Sequence, residues 1–411
     1  MVPIFVPIDA KLPLSYSCQS PQMFSAPNEG YKTMPQLTRY ASLLDALAKR
    51  NRRRILRPGD GLDFSSNDYL GLANSPWLKQ AAMEALECGV PAGSGGSRLL
   101  RGNHPEHAAL EEEAAAFFGA EAALFMGGGF QANQAVFSSL PAGDDLVIYD
   151  EFIHASVHEG MRLGRARTAA FAHNAVDHAR KIARRWREEG GRGTLWIAVE
   201  SLYSMEGDFA PLAELAALAT ETDALLIVDE AHATGVFGPQ GRGLAHGLID
   251  LPHISIHTCG KALGIAGGLI LAPRVLIDTL INRARPFIFA TSPPPLTAAL
   301  VRASLRLLQA KPELQEVAIA RISHAHREAA RTCGLSGFES QVMPVILGED
   351  KTAMRHAAAL QAAGFDVRGI RPPTVPRGTA RLRISITGNV DNQAITGLFE
   401  TLGRQLQEDA G

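Results

Sequence analysis

The sequence is poor in cysteine and contains no long apolar run. Its four cysteines, at positions 18, 88, 259 and 333, are widely spaced and form no CxxC pair. This spacing argues against a disulfide framework and against a zinc site, and it is typical of a reducing compartment, so we expect a cytoplasmic protein. No apolar run approaches the roughly 20 residues that a membrane-spanning helix needs, and we therefore predict no membrane span.

An excess of one charge is also missing. The chain has 40 Lys and Arg residues against 42 Asp and Glu residues. This balance excludes the one-sided basic surface that is expected of a nucleic-acid binder. Because 46 % of the 411 residues are hydrophobic, the chain can bury a large core, and its length predicts two or three domains.

The first 33 residues differ from the rest of the chain. They are rich in Pro and Ser, contain no arginine, and lack the basic start and apolar core of a secretory signal. We predict that residues 1–33 are a disordered extension, and we hypothesise that Met34 is the natural start. Residues 34–61 are predicted to form a helical arm, because the pattern at 37–54 is amphipathic and ends in a basic cluster.

From residue 62 onward, strand-like and helical segments alternate. The strand-like segments are apolar along their whole length, which predicts a mostly parallel sheet covered by helices on both faces. A proline-rich break at 291–297 separates this large domain, 62–297, from a smaller C-terminal α+β domain, 298–411. The predicted strands of the large domain are 123–126, 145–150, 194–200, 224–230, 253–258 and 268–272, and its main helices are 77–88, 107–118, 177–189 and 211–222.

Open α/β sheets bind ligands at the carboxyl ends of their strands. Directly after the strand at 123–126 comes GGGF, residues 127–130, followed by a helical pattern. Glycines at the start of a helix let backbone N–H groups approach an anion, and the helix dipole favours a phosphate. A flexible turn is the alternative interpretation of this glycine run.

The strand at 224–230 runs into the tetrapeptide DEAH, residues 229–232, with Asp229 at its tip. A carboxylate at the end of a buried strand needs a cationic partner, and a protonated pyridine nitrogen is one such partner. The same tetrapeptide occurs in nucleic-acid helicases, which also need a GxxxxGK[ST] loop. The Gly-Lys pair at 260–261 lacks the upstream glycine and is followed by alanine, so the helicase interpretation fails.

Lys261 follows the strand at 253–258 and belongs to TCGKALG, residues 258–264. An isolated lysine is usually a solvated surface group. The order along the chain changes that interpretation, because a glycine loop, Asp229 and His232 precede it. These are the parts of a pyridoxal-phosphate site: a phosphate cradle, a pyridinium partner, a phenolate partner and a Schiff-base amine. A non-enzymatic interaction protein would carry the set only by chance.

Seven motifs match a known family. They are FSSNDYLGL (64–72), GSGGSRLLRGNHPEH (93–107), GGGFQANQ (127–134), HAS (154–156), ESLYSMEGD (200–208), DEAHATGVFGPQGRG (229–243) and TCGKALG (258–264). The chain resembles the α-oxoamine synthases, a family of fold-type I pyridoxal-phosphate enzymes, from about Leu62 to the C-terminus. The resemblance implies a large, mostly parallel sheet domain sandwiched by helices, a smaller α+β domain, and a homodimer with shared active sites.

The resemblance also implies a role for each matching residue. Lys261 would hold the cofactor and act as catalytic base, Asp229 would keep the ring nitrogen protonated, and His154 would stack on the ring and assist decarboxylation. The implied cofactor contacts are Gly129, Phe130, His154, Ser204, Asp229, His232, Thr258, Lys261 and Thr291, the last reaching the phosphate of the partner subunit. The implied substrate contacts are Arg52, His154, Arg371, Thr374 and Arg383, with Arg53 and Arg54 as alternatives to Arg52. Arg381 and Arg383 alternate along one strand face, and either could be a surface ion-pair residue.

The reaction that the resemblance implies is a decarboxylative condensation. The segment RPPTVPRGTARLR, residues 371–383, is similar to that of family members that condense L-alanine with a pimeloyl thioester in biotin biosynthesis, with CoA or an acyl carrier protein as the acyl carrier. Sister enzymes that use glycine, 2-amino-3-ketobutyrate CoA ligase and 5-aminolevulinate synthase, are the nearest alternative. An aminotransferase on the same fold is another.

Overall fold

The computed structural model describes residues 34–50, 52–56, 58–248 and 251–410. They belong to two compact units, residues up to 58 and residues from 59 onward. In the first unit, a 3-10 turn at Pro35–Leu37 leads into the amphipathic helix α1, Thr38–Lys49. The sequence predicts a helix to residue 54, but α1 ends at Lys49. Just beyond this end, the Arg52 amide donates to the carbonyl of Leu47 at 2.8 Å. The predicted extension at 1–33 lies outside the described residues.

The strands of the second unit form three sheets. They are β1 Leu62–Asp63, β2 Ala122–Met126, β3 Leu146–Asp150, β4 Arg167–Phe171, β5 Leu195–Glu200, β6 Ala224–Asp229, β7 His253–Thr258, β8 Gly268–Ala272, β9 Val342–Gly348, β10 Phe365–Asp366, β11 Arg368–Ile370 and β12 Ala380–Ser385. The largest sheet has the order β2-β8-β7-β6-β5-β3-β4. In it β4, β3, β5, β6 and β7 are parallel, whereas β8 is antiparallel to both of its neighbours. All six strands predicted for the large domain are confirmed within one residue at either end.

The helices of the second unit alternate with these strands. They are α2 Pro76–Glu87, α3 Pro105–Phe118, α4 Gly129–Ser139, α5 Ala155–Leu163, α6 Val176–Glu188, α7 Leu212–Thr222, α8 Arg274–Arg283, α9 Arg285–Ile288, α10 Pro295–Ala310, α11 Glu313–Cys333, α12 Asp350–Ala362 and α13 Asn392–Ala410. Short 3-10 turns lie at Pro239–Gly241 and Ala245–Gly247. None of the described helices is both long and apolar enough to span a bilayer.

Local sequence determines where several helices begin and end. Ser75 caps α2 by accepting a hydrogen bond from the Leu78 amide at 3.1 Å, and a proline occupies the next position. Proline there needs no amide hydrogen, since the first N–H groups of a helix have no partner. Gly119 closes α3 with a φ of 76°, a left-handed conformation that glycine adopts without strain.

Helices cover both faces of the seven-stranded sheet. Side chains alternate between faces along a strand, so in β6 Ile227 packs on one face while Leu226 and Val228 pack on the other. The first face carries α4, α5 and α8, and the second carries α6 and α7. The predicted mostly parallel sheet with helices on both faces is confirmed.

The C-terminal part contains an antiparallel sheet of order β11-β12-β9, which shares a core with α11, α12 and α13. Strand β1 pairs in parallel with β10, with Leu62 opposite Phe365. Position 297, the predicted domain boundary, falls in the first turns of α10. The division into large and small domains therefore stays a prediction.

Strand β4 was not predicted from the sequence. Its residues, Arg167–Phe171, are mostly exposed, and only Phe171 is buried. As the edge strand it has a single neighbour, β3, so it needs none of the continuous apolar character of the central strands.

Candidate active site

The carboxyl ends of β2, β5, β6 and β7 lie along one edge of the large sheet. Because β8 is antiparallel, its first residue, Gly268, lies at this same edge opposite Thr258 of β7 and Met126 of β2. The edge therefore collects the segments that follow the strands: 127–130, 201–204, 230–232 and 259–261. All four segments were singled out by the sequence motifs.

The glycine run passes tightly over β7 and β8. Helix α4 begins at Gly129, and a Cβ added to Gly129 would lie 3.3 Å from the hydroxyl oxygen of Thr258. A Cβ added to Gly268 would lie 2.6 Å from the carbonyl carbon of Gly128, so only glycine fits at this strand start. The unpartnered N–H groups of the first turn of α4 thus lie beside a hydroxyl, an arrangement suited to a phosphate.

Asp229 is buried and held by neutral donors. Asn133 Nδ2, on α4, donates to Asp229 Oδ2 at 2.7 Å, and the Ala231 amide donates to Oδ1 at 2.9 Å. Asn133 also donates to Ser156 Oγ at 3.0 Å, and this oxygen lies 2.7 Å from His154 Nδ1. Among the described residues no cation forms an ion pair with Asp229, so the buried carboxylate is suited to a cationic group of a ligand.

Lys261 and His232 are in direct contact. Lys261 Nζ lies 2.7 Å from His232 Nε2, and the Tyr69 hydroxyl lies 2.6 Å from His232 Nδ1 and 3.0 Å from Asn67 Oδ1. Burial lowers the pKa of His232 well below its usual range, and the charges of Lys261 and Arg383 lower it further. His232 is therefore a neutral imidazole positioned between an amine and a phenol.

The pKa of the Lys261 amine is much lower than that of a solvated lysine. Burial lowers the pKa of Lys261 to about 8; Asp229 and Glu200 oppose this shift, and Arg383 adds to it. The two opposing carboxyl groups end neighbouring strands in register, β5 and β6. An amine with a pKa in this range has a usable free-base fraction near pH 7 and can serve as nucleophile or general base, unlike a solvated lysine.

A cavity of about 690 Å³ has His154 in its wall, and His154 is linked to Asp229 through Ser156 and Asn133. Its walls come from three segments, 151–158, 204–206 and 373–376. His154, Ser204 and Thr374 provide polar groups, while Phe152 and Val375 provide apolar surface. The structure thus brings three of the predicted ligand-contacting residues to one cavity of the size and mixed lining of a small-molecule site.

Arg383 is a buried residue of β12 that faces this region. Its Nε donates to the Ser204 carbonyl at 2.8 Å, and its Nη2 donates to Asn67 Oδ1 at 3.1 Å. Two positions earlier, Arg381 is also buried, and its Nη1 donates to the Met205 carbonyl at 3.0 Å. Neither arginine is a surface ion-pair residue, which resolves the alternative that the sequence leaves open.

Three predicted contacts lie apart from the cavity. The Arg371 guanidinium contacts the Met354 sulfur, and Arg371 is not among the cavity-lining residues. Thr291 is exposed and lines a separate narrow cleft with Gly127. Arg52 belongs to the first unit, so its role in binding substrate stays a prediction.

Several residues of the site were not predicted individually. Asn133, Asn67 and Tyr69 lie within motifs quoted from the sequence, but no role was assigned to them. A signal exists for Asn133, because it is an amide on the buried face of α4, and a buried polar side chain in an apolar helix face requires a partner. Glu200, buried at the end of β5, carries the same signal.

The comparison with known proteins agrees with this geometry. A family model described as aminotransferase class I and II matches residues 59–402. The chain belongs to this family; it is an enzyme, and its predicted fold-type I architecture is confirmed.

The similar proteins define a narrower group. An 8-amino-7-oxononanoate synthase from Geobacter sulfurreducens is 40 % identical over 371 residues, 89 % of this chain and 94 % of the relative. One from Methylobacterium nodulans is 42 % identical over 357 residues, 87 % of this chain and 88 % of the relative. A solved serine palmitoyltransferase from S. paucimobilis gives a TM-score of 0.81 at 28 % identity, covering 91 % of this chain and 98 % of that chain. The 8-amino-7-oxononanoate synthase structure from Francisella tularensis gives 0.72 at 26 %, covering 85 % and 99 %. The predicted resemblance to the α-oxoamine synthases is confirmed.

The described residues fit pyridoxal phosphate. Asp229 is a buried carboxylate without a cation, and Asn133 Oδ1, also buried, has no hydrogen-bond partner among the described residues. Thr258 and the start of α4 can receive a phosphate, and Lys261 supplies an amine. No group of His, Cys, Asp and Glu side chains in the described part of the chain could hold a metal ion.

Proposed function

We propose that this enzyme is an 8-amino-7-oxononanoate synthase. It condenses L-alanine with a pimeloyl thioester, carried by CoA or an acyl carrier protein, and yields 8-amino-7-oxononanoate, CO2 and the free thiol in biotin biosynthesis. The observation that carries the proposal is the 40 % identity to a synthase of this name over 94 % of the relative's length. The buried Lys261, with a pKa of about 8, supports the proposal chemically.

The cofactor is pyridoxal phosphate, which when bound accepts the electron pair left at the amino acid Cα. We assign the phosphate to the start of α4 and to Thr258, because N–H groups and a hydroxyl meet there. Asp229 would pair with the ring nitrogen of the cofactor and keep that nitrogen protonated. The residues assigned to the cofactor are Gly129, Phe130, His154, Ser204, Asp229, His232, Thr258, Lys261 and, toward the partner subunit's site, Thr291.

Lys261 moves the proton at Cα. Its amine, with a pKa near 8, is a base strong enough to accept the alanine Cα proton and weak enough to return a proton to the product. His232 Nε2, 2.7 Å from Nζ, holds the amine in place before the cofactor arrives. His154, on the cavity wall, assists the loss of CO2.

Arg383 is assigned to the substrate carboxylate. Its guanidinium is buried near Ser204 and Asn67 and forms no ion pair with a described carboxylate, so it can attract an anionic group. The cavity lined by Phe152, Thr374 and Val375 would receive the acyl chain. Arg371 and Arg52 are assigned to substrate on the family resemblance.

A sister synthase is the second candidate, because the serine palmitoyltransferase fits with the higher TM-score, 0.81 against 0.72. Incubation of the holoenzyme with pimeloyl-CoA and L-alanine, glycine or L-serine in turn, followed by mass analysis, tests the choice. We expect product from L-alanine at a rate at least tenfold above the others. Preference for glycine or serine would contradict the proposal, and conversion of the cofactor to its amine form by an amino donor alone would indicate an aminotransferase.

The central assignment is Lys261, and Lys261→Ala tests it. We expect loss of turnover and of the visible absorbance of the lysine-bound cofactor, since no other described amine occupies this position. Lys181→Ala, an exposed lysine on α6, is the matched control and should retain both. A Lys261→Ala protein that kept turnover and absorbance would refute the assignment.

We also propose that the enzyme is a cytoplasmic homodimer that uses a second copy of the chain to cover its cofactor edge. Leu100 and Phe289 are 85 % and 69 % exposed, and Phe130, at the start of α4, is 51 % exposed. Large apolar side chains so exposed are typical of an interface. Sedimentation of the holoenzyme should give a dimer, and Phe289→Glu should weaken it; a wild-type monomer would contradict the proposal.

A further inference from the structure

The loop after β4 holds a histidine between two carboxylates, next to the cavity. His173 Nδ1 lies 2.9 Å from Asp150 Oδ1, and His173 Nε2 lies 2.8 Å from Asp208 Oδ2. Because both ring nitrogens face carboxylate oxygens, both carry protons and the ring is an imidazolium. Its side chain is 18 % exposed, and the Asp150 carboxylate is fully buried.

The two carboxylates belong to different walls of the cavity. Asp150 ends β3, and its Oδ1 also accepts from the Phe152 amide at 2.9 Å, at the start of the segment that carries His154. Asp208 lies at the end of the segment that carries Ser204. His173 therefore joins the 151–158 wall to the 204–206 wall.

Aromatic rings complete the contact. The Phe152 ring, which lines the cavity, lies over the His173 ring at 4.7 Å between centroids, and the Tyr203 ring meets it edge-on at 4.5 Å. Tyr203 directly precedes Ser204. A shift of His173 would thus move Phe152 in the 151–158 wall and Tyr203, which precedes the 204–206 wall.

We propose that His173 is a positioning residue: its imidazolium ties Asp150 to Asp208 and thereby sets the separation of His154 and Ser204 across the ligand cavity. The charged and polar groups that face it are Asp150, Glu151, Asn174, Tyr203, Glu206 and Asp208. None of them is a cation, but Asn174 also contacts both carboxylates: its backbone amide donates to Asp150 Oδ2 at 2.8 Å and its Nδ2 donates to Asp208 Oδ2 at 3.1 Å. His173 is therefore the charged one of two residues that join Asp150 to Asp208.

The charge of His173 persists through the neutral range. Although partial burial disfavours the charged ring, the hydrogen bonds to Asp150 and Asp208 raise the pKa of His173 to about 10. A pKa raised by folding stabilises the protein fully below the unfolded value, about 6.5, and this stabilisation is lost as pH rises toward 10. The contact is therefore intact at neutral pH and weakens in alkali.

The variant His173→Gln tests the proposal in three ways. We expect its Tm to fall by roughly 5 °C at pH 6, and the gap to the wild type to shrink between pH 6.5 and 10, because Gln does not titrate. We expect kcat to fall about 10- to 100-fold with a smaller change in KM, as misplaced groups slow a reaction more than they weaken binding. The visible circular dichroism of the bound cofactor should also change.

Two further variants separate positioning from stability. His356→Gln removes a histidine that lies 2.8 Å from Asp409, in the C-terminal part of the chain, and should lower Tm without altering kcat or the dichroism. Asp208→Asn weakens the contact more gently, in case His173→Gln does not fold, and should reproduce its changes in part.

Wild-type kcat and dichroism in a folded His173→Gln or Asp208→Asn protein would overturn the proposal. The kinetic measurement rests on the proposed function, whereas the dichroism and the pH-dependent Tm do not. Should the condensation itself prove absent, the two remaining measurements still decide the role of His173.

Discussion

The low pKa of Lys261 gives a direct prediction about cofactor capture. Only the free-base form of the amine can attack the aldehyde of pyridoxal phosphate. The perturbation is therefore pH alone, applied to the ligand-free enzyme. We expect the rate of cofactor uptake to follow the titration of Lys261 and to level off above its pKa of about 8.

The structure sets the size of the effect. At pH 7 an amine with a pKa of 8 is roughly 10 % free base, whereas one with a solvated pKa near 10.4 is roughly 0.04 % free base. Burial of Lys261 thus raises its reactive fraction roughly 200-fold at neutral pH. From pH 7 to pH 9 the uptake rate should rise about tenfold and then change little, while a solvated lysine would gain about 100-fold over the same interval and keep rising.

Stopped-flow measurement of visible absorbance after mixing with pyridoxal phosphate gives the rate at each pH. Labelling of the ligand-free protein with an amine reagent, followed by peptide mass analysis, reports Lys261 separately from surface lysines. Exposed Lys79, on α2, is the internal reference for the reagent. The pH-dependent ionisation of the cofactor phosphate is removed by repeating the series with pyridoxal.

Charged neighbours provide the controls. Asp229→Asn removes a charge that raises the Lys261 pKa, so the midpoint should fall by about half to one pH unit, whereas Arg383→Gln should raise it by a similar amount. An uptake rate that climbs without a plateau to pH 10, or two variants that shift the midpoint in the same direction, would refute the electrostatic reasoning.

Two further predictions concern the walls of the site. Gly268→Ala should destabilise the protein by about 1–3 kcal/mol and weaken cofactor binding, because the added Cβ would lie 2.6 Å from the Gly128 carbonyl carbon. The control is Gly128→Ala, since Gly128 has an extended backbone and open space around its Cβ position. Thermal unfolding should show an unchanged Tm for this control. Arg381→Ala should cost about 2 kcal/mol and raise KM about tenfold, because it removes the cation from the partly buried Glu206, which lines the cavity. Exposed Arg377→Ala is the control, and equal KM values for the two variants would contradict this role.

The parts of the site that follow strands could be predicted from sequence. Asp229 and Lys261 stand at the ends of apolar segments, and parallel strands bring such ends to one edge without further information. The same rule located the glycine loop at 127–129. The sheet itself was predictable because buried parallel strands are apolar throughout, which the exposed edge strand β4 is not.

The contacts between distant segments could not be predicted in this way. Tyr69 meets His232 across 163 residues, and Arg383 meets Asn67 across 316. These pairings depend on how β12 and the loop after β1 pack, and a periodicity within one segment carries no information about that packing. The hydrogen bond from Asn133 to Asp229 could not be predicted for the same reason, since Asp229 lies 96 residues away.

The contacts of the segment after β1 with the end of β12 have a consequence for the synthesis of the chain. The loop that carries Tyr69 is anchored by late residues: the Ser385 amide donates to the Phe64 carbonyl at 2.9 Å, and Thr387 Oγ1 donates to the Asp63 carbonyl at 2.8 Å. A ribosome makes the seven-stranded sheet and Lys261 more than a hundred residues before these anchors. We expect a nascent chain to hold its reactive lysine well before the surrounding site is complete, so that stable capture of pyridoxal phosphate has to await the synthesis of residues 385–387.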